Sequence, residues 1–121
     1  MSTPLFLYGT LLDPRVLARE SGDSRLPRAM VPAVLPGFAR VRFRGTLYPT
    51  LIPRRGRWVP GALIRPNPAA MAALRRYEGP CYRLMPLRVL SPRGPVAARA
   101  WVTPRQMALA EPWKPSHASH A

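Results

Sequence analysis

The chain has 121 residues, of which 47% are apolar, and this length and composition predict a single domain around one core. Its one cysteine, Cys81, excludes an internal disulfide and a cysteine-based structural zinc site. The formal charge of +14 raises nucleic-acid binding as a candidate function, whereas no apolar run approaches the roughly 18 residues of a membrane helix.

The N-terminal half predicts a buried strand, a short helix and a series of strands. Residues 4–8 form a short apolar run that ends at a glycine, which suits a buried first strand. A helix over residues 14–20 follows, with Asp13 as its N-cap and Gly22 as its stop. Over residues 31–64, apolar blocks alternate with proline and glycine, so we expect several short strands joined by tight connections. Such spacing favours a barrel or a strongly bent sheet.

Two arginine-rich segments lie within this strand region. In residues 40–44, arginines alternate with Val41 and Phe43, which predicts a strand with a solvated arginine face over a buried apolar one. Residues 54–57, Arg-Arg-Gly-Arg, are interpreted as a basic hairpin tip. Because the arginines are spread along the chain and few aromatic residues are interleaved with them, nucleic acid is not the expected partner.

The clearest predicted element is a second helix in the C-terminal half. Asn67 is a suitable N-cap, and Pro68 fits the first helical position. The alanine-rich residues that follow favour a helix, which ends at Gly79 and Pro80.

A hairpin and a tail are predicted after this helix. Residues 82–90 and 96–102 each have the composition of a strand, and a proline- and glycine-rich turn separates them. The last residues of the chain lack any periodicity. We therefore predict one domain over residues 1–108 and a loosely ordered tail over residues 109–121.

Glu78 is one of only five acidic residues and is the candidate catalytic base. Met71, Leu74 and Glu78 follow one another at spacings of three and four, so they share one face of the second helix. If that face packs on the sheet, burial and the helix dipole raise the pKa of Glu78, whereas neighbouring arginines such as Arg75 lower it. A general base works best with a pKa near the working pH. The alternative is a surface glutamate paired with Arg75.

A second candidate feature is the loop Tyr8-Gly9-Thr10-Leu11 at the end of the first strand. A glycine that is free to adopt a positive φ can turn several backbone N–H groups toward one point. Such an arrangement binds a carboxylate, so this loop is a candidate binding site.

Three regions of the chain, taken in order, resemble the γ-glutamylcyclotransferase-like family, which includes γ-glutamylamine cyclotransferases. The resemblance implies an α+β fold, a small mixed β-barrel with helices packed around it and one cavity at its mouth. It rests on Phe6-Leu7-Tyr8-Gly9-Thr10-Leu11, on Tyr48-Pro49 with Gly61-Ala62-Leu63-Ile64, and on Tyr77-Glu78-Gly79 with Tyr82-Arg83.

The resemblance also implies an activity and a site. Tyr8, Gly9, Thr10 and Leu11 correspond to the substrate-binding loop, and Glu78 corresponds to the catalytic acid/base. Such an enzyme releases 5-oxoproline from a small γ-glutamyl substrate and needs neither a metal nor an organic cofactor. Since the N-terminus shows no secretory pattern, we expect a soluble, cytoplasmic protein without a membrane partner.

Two departures from the family pattern leave a second function open. Family members commonly have aspartate at the position of Arg75. They often have a smaller aromatic residue at the position of Trp101, so the tryptophan of this chain is expected to narrow the pocket. A catalytically silent module that binds a small ligand is therefore the main alternative. A basic barrel that binds nucleic acid is the less favoured one.

The remaining candidates carry weaker expectations. Tyr82 is a candidate to close the cavity or to donate to a substrate oxygen, although a tyrosine on a strand is as often part of the core. Cys81 is expected to be an inert thiol, because His117 and His120 lie in the tail and cannot activate it.

Overall fold

A computed structural model describes residues 3–113 of the chain, which form six β-strands and two α-helices. No helix in this range is long and apolar enough to cross a membrane. In chain order the elements are β1 (Leu5–Leu7), α1 (Pro14–Ser21), β2 (Val31–Phe43), β3 (Pro49–Ile64), α2 (Pro68–Glu78), β4 (Arg83–Ser91), β5 (Gly94–Val102) and β6 (Ala108–Pro112).

Five of these strands close a barrel. Their order is β3-β1-β5-β4-β2, and β2 pairs again with β3 to complete the ring. The pairing of β1 with β5 is parallel and the other pairings are antiparallel, so the barrel is mixed. The α+β fold predicted from the sequence, a small mixed β-barrel with helices packed around it, is confirmed.

Strands β2 and β3 are long, with 13 and 16 residues, where a series of short strands was predicted. Residues 31–36 pair with residues 58–63, and residues 38–42 pair with residues 49–53. Between these two stretches the register shifts, and Gly37 alone faces residues 54–57. The expectation of short strands was wrong because one bulge bends the pair without ending either strand.

The bulge explains where the proline and glycine residues of this region lie. Pro36 and Pro53 flank the bulge. Proline has no backbone N–H to donate, and it is tolerated here because the regular hydrogen bonding between β2 and β3 is already interrupted at the bulge. Gly37 and Gly56 have φ angles of 81° and 80°, which an L-residue rarely adopts. Residues 54–57 are thus an exposed protrusion from the middle of β3, and their interpretation as a hairpin tip was wrong.

Both helices begin and end where the sequence predicts. The Asp13 side chain accepts a hydrogen bond from the Arg15 N–H at 2.9 Å, and the Asn67 side chain accepts one from the Ala70 N–H at 2.8 Å. Gly79 ends α2 with a φ of 83°. The helices cover one side of the barrel, and the apolar cluster there includes Leu5, Leu7, Leu17, Ile64, Leu74 and Trp101.

The segment predicted as a loose tail is ordered as far as the structure describes it. Strand β6 pairs with the second half of β2, and Trp113 behind it is only 5% exposed. The Trp113 indole Nε1–H donates to the Leu47 carbonyl at 2.8 Å. For residues 109–113 the prediction was wrong, because burial of a large aromatic ring and pairing with β2 hold this segment in place. His117 and His120 lie outside the described residues.

Candidate active site

A cavity of about 170 Å³ lies where β1 runs into the loop of residues 8–11. All six residues predicted from the sequence to form the site line this one cavity. They are Tyr8, Gly9, Thr10, Leu11, Glu78 and Tyr82, and the remaining lining residues are Phe6, Leu7, Phe43, Tyr48, Pro49, Tyr77 and Trp101.

Glu78 is the only ionisable carboxylate among these lining residues. It is the last residue of α2, on the same face as Leu74, which is fully buried, and Met71, which packs against the helix-side cluster. Burial raises its pKa from the ordinary value of 4.5 to about 7, because a poorly solvated site disfavours the charged form.

Arg75 does not form the surface ion pair with Glu78 that the sequence left open. Its side chain is exposed, and no ion pair to Glu78 is present among residues 3–113. The expectation that nearby arginines offset the effect of burial was also wrong, since burial alone accounts for the direction of the Glu78 pKa. Because Arg75 is exposed, water screens its charge.

The loop of residues 8–11 is held by its side chains and by a tight turn. The Tyr8 hydroxyl donates to the Trp101 carbonyl, and burial raises the Tyr8 pKa well above its ordinary value, so the hydroxyl stays protonated. The Thr10 hydroxyl forms a hydrogen bond of 2.8 Å with the hydroxyl of Tyr77 on α2. The Leu12 N–H donates to the Gly9 carbonyl at 3.0 Å, which closes the turn that follows. The loop is thereby tied both to the barrel and to the helix that carries Glu78.

Gly9 serves this loop for a different reason from the one predicted. Its φ is −132°, so the expectation of a positive φ was wrong. A Cβ atom at this position would lie 2.6 Å from the Pro49 Cγ, closer than real contacts allow. Glycine therefore lets the loop backbone approach Pro49, and a larger residue would displace one of the two.

Tyr82 lines the cavity and is anchored to the same proline. Its hydroxyl donates to the Pro49 carbonyl at 2.6 Å, and its ring meets Phe43 edge to face with a centroid distance of 5.6 Å. Burial raises the pKa of Tyr82 far above its ordinary value, so it is not a base at neutral pH. A role in substrate binding stays a prediction, since the hydroxyl can still accept a hydrogen bond while it donates.

Several cavity residues were not predicted as site residues. The alternation of Phe43 with arginines predicted that Phe43 is buried, but nothing in that pattern indicated a cavity. Tyr48 and Tyr77 belong to segments that carry the family resemblance, and this is the signal that could have found them. Trp101, flagged as a departure, does line the cavity.

Two further observations on residues 3–113 concern Cys81 and metal ligands. Cys81 is free and exposed, and it does not line the cavity. No group of three or more His, Cys, Asp or Glu side chains in this range could hold a metal ion.

Comparison with known proteins gives one family and one fold. The family described as γ-glutamyl cyclotransferase, AIG2-like, matches residues 5–118. AIG2-like protein B of Arabidopsis thaliana is 37% identical over 60 residues, which are 50% of this chain and 33% of that protein. The match therefore spans about a third of that curated relative's length.

Solved structures resemble the whole barrel. A solution structure of an Arabidopsis thaliana protein has a TM-score of 0.70 and 26% identity, and the match covers 87% of this chain and 73% of that one. A structure named γ-glutamyl cyclotransferase has a TM-score of 0.70 at 19% identity, with coverages of 86% and 68%. An AIG2-like protein from Mus musculus has a TM-score of 0.69 at 19% identity, with coverages of 98% and 90%. At 19% identity, the last two show the fold alone.

Proposed function

Because the chain belongs to the γ-glutamyl cyclotransferase, AIG2-like family, we propose that it cleaves a γ-glutamyl amide by an intramolecular reaction. The substrate's own α-amine attacks its γ-carbonyl, and the products are 5-oxoproline and a free amine or amino acid. A small γ-glutamyl molecule as partner and a cytoplasmic location are parts of the same proposal. The chemistry calls for neither a metal nor an organic cofactor.

The observation that carries the proposal is Glu78 in the cavity with a pKa of about 7. The α-amine is mostly protonated at neutral pH and cannot attack until it loses its proton. Raising the pKa of the accepting carboxylate from 4.5 to about 7 lowers the free-energy cost of that proton transfer by roughly 3 kcal/mol. Burial thus makes Glu78 a base matched to this amine.

The reaction balances with Glu78 as the only proton carrier. Its carboxylate removes a proton from the α-ammonium group, and the freed amine forms a C–N bond to the γ-carbonyl carbon. Glu78 gives this first proton to the leaving nitrogen, and its carboxylate then accepts the second proton, which the attacking nitrogen loses as the five-membered lactam closes and the bond to the leaving nitrogen breaks. Glu78 passes the second proton to the released amine, which departs as an ammonium ion, and so returns to the ionised state.

The loop of residues 8–11 would hold the glutamyl group for this attack. It lines the cavity together with Glu78, and the backbone N–H groups at the start of its turn are donors for the substrate's carboxylate or carbonyl oxygens. Restraining the substrate in a curled form raises the effective concentration of its amine at the γ-carbonyl, to ~10⁵ M or more in well-oriented cases.

A γ-glutamyl panel tests the proposal. The protein is incubated with γ-glutamyl amino acids, γ-glutamyl amines and γ-glutamyl-lysine, and 5-oxoproline is measured. We expect release with the wild type, none above background with Glu78→Gln, and unchanged release with Glu111→Gln, which alters an exposed carboxylate on β6. Release that survives Glu78→Gln would remove this residue from its role.

A catalytically silent binding module is the second candidate, favoured by Arg75 where the family commonly has aspartate. It predicts that γ-glutamyl compounds stabilise the protein saturably against heat while no 5-oxoproline forms. Nucleic-acid binding is less favoured, because Arg40 and Arg42 of the predicted arginine face are half-buried and bonded within the protein.

A further inference from the structure

We propose that Arg40 is a positioning residue for the loop of residues 8–11 and that strand β6, through Trp113, holds Arg40 in place. This inference rests on the proposed function, since the loop is assigned there to the glutamyl group. It also gives a role at the site to the C-terminal strand, which does not line the cavity.

Arg40 reaches the loop from β2. One of its guanidinium nitrogens, Nη1, donates to the Tyr8 carbonyl at 2.9 Å. The side chain is half-buried, and burial lowers its pKa from the ordinary value. Because burial of a guanidinium is costly unless its N–H groups are bonded, the contact with Tyr8 is one that the fold retains.

This contact sets the direction of the next N–H group. In a planar trans peptide the carbonyl and the following N–H point to opposite sides. The Tyr8 carbonyl is turned toward Arg40, which does not line the cavity, so the Gly9 N–H is turned away from Arg40; the proposal places this N–H on the cavity side of Gly9, which is a lining residue. Arg40 thereby keeps a backbone donor available for the substrate.

Trp113 fixes Arg40 in turn. The guanidinium carbon of Arg40 lies 4.8 Å from the centroid of the Trp113 ring, a cation–π contact. The Trp113 N–H donates to the Arg40 carbonyl at 3.2 Å, and its indole N–H donates to the Leu47 carbonyl at 2.8 Å. Trp113, the residue directly after β6, therefore contacts both the backbone and the side chain of Arg40, which in turn bonds to the loop.

Arg42 provides a matched control two positions along the same strand. Its Nη1 also reaches β6, at 3.1 Å from both carboxylate oxygens of Glu111, and its Nη2 donates to the Thr46 carbonyl at 3.4 Å. None of these contacts involves the substrate loop. Loss of either arginine thus removes a link between β2 and β6, but only loss of Arg40 releases the loop.

Hydrogen exchange tests the positioning without any substrate. Amide exchange of Leu12 and Asp13, whose N–H groups donate to Gly9 and Thr10, is measured in the wild type, Arg40→Met, Arg40→Lys and Arg42→Met. We expect exchange about tenfold faster in Arg40→Met, an intermediate rate in Arg40→Lys and a wild-type rate in Arg42→Met. Equal rates in Arg40→Met and Arg42→Met, or no change in Arg40→Met, would overturn the proposal.

Kinetics then tests the consequence for the reaction. We expect Arg40→Met to lower kcat/KM for a γ-glutamyl substrate by about tenfold or more, with an unchanged pH midpoint, because Glu78 is not altered. Arg40→Lys, which can still donate but stacks less well, recovers part of the loss. Trp113→Leu gives a smaller loss of the same kind, and Arg42→Met stays within about twofold of the wild type.

The two proposals fail in different ways. If the wild type releases no 5-oxoproline, the proposed function is refuted while the exchange experiment still decides the role of Arg40. If the wild type is active and Arg40→Met is equally active, the positioning role is refuted and the function stands. If Arg40→Met does not fold, Arg40→Lys and Trp113→Leu take its place, and wild-type exchange and activity in both would overturn the proposal.

Discussion

Replacing Glu78 by glutamine is expected to stabilise the protein at alkaline pH while it removes the proposed activity. In the folded protein the pKa of Glu78 is about 7, compared with 4.5 for an ordinary glutamate. The difference means that the ionised Glu78 carboxylate is less stable in the folded protein than in the unfolded chain, because burial disfavours the charged form. Glutamine has nearly the same shape and no charge at any pH.

The magnitude follows from the two pKa values. At pH values below about 4.5 the group is protonated in both the folded and the unfolded chain, and it has no effect on the free energy of unfolding. As the pH rises from about 4.5 to about 7, the unfolded chain ionises first, so the free energy of unfolding falls. Above about 7 the full loss is present, and it amounts to about 3 kcal/mol.

Thermal unfolding followed by circular dichroism measures this effect. At pH 8 we expect the Tm of Glu78→Gln to exceed that of the wild type by on the order of 10 °C, and at pH 4.5 we expect the two to agree closely. The control, Glu111→Gln, should change stability by less than about 1 kcal/mol, since it removes one exposed ion pair. A Glu78→Gln variant that is no more stable than the wild type at pH 8, or whose advantage does not shrink as the pH falls, would refute the burial argument.

Three further predictions concern the surroundings of Glu78. Activity should rise with pH through a midpoint near 7, the pKa of Glu78. Because Arg75 is exposed, Arg75→Gln should leave that midpoint unchanged, and a midpoint that moves by a full pH unit in this variant would contradict the prediction. Gly9→Ala should lower both Tm and activity, since its Cβ would lie 2.6 Å from the Pro49 Cγ, and unchanged values would show that the loop can shift freely. Tyr82→Phe should cost about 1 kcal/mol in urea unfolding through loss of the 2.6 Å hydrogen bond to the Pro49 carbonyl, and no loss of stability would show that this bond contributes little.

The helices could be predicted from the sequence almost to the residue, because their ends depend on local chemistry. Asp13 and Asn67 each cap the helix that follows them, and Gly79 ends the second helix in a conformation that favours glycine. The shared face of Leu74 and Glu78 also follows from helical spacing alone. That spacing was enough to predict which side chain enters the cavity.

The course of β2 and β3 could not be predicted in the same way. Proline and glycine in residues 31–64 were taken to end strands, whereas the register of two paired strands absorbs them in one bulge around Gly37. Pairing joins residues that are distant in the chain, so whether a proline breaks a strand depends on the partner that faces it.

What the sequence by itself determined was the set of locally specified features: the capped helices, the hairpin of β4 and β5, and a carboxylate on an apolar helix face. Only the tertiary structure decided that Gly9 is required by the closeness of Pro49 and that Trp113 folds back onto Arg40. These two features depend on contacts between residues about 40 and 70 positions apart, for which no local pattern exists. The pKa of Glu78 is decided at the same level, since the helix places the carboxylate but the residues that pack around it in the folded chain reduce its solvation.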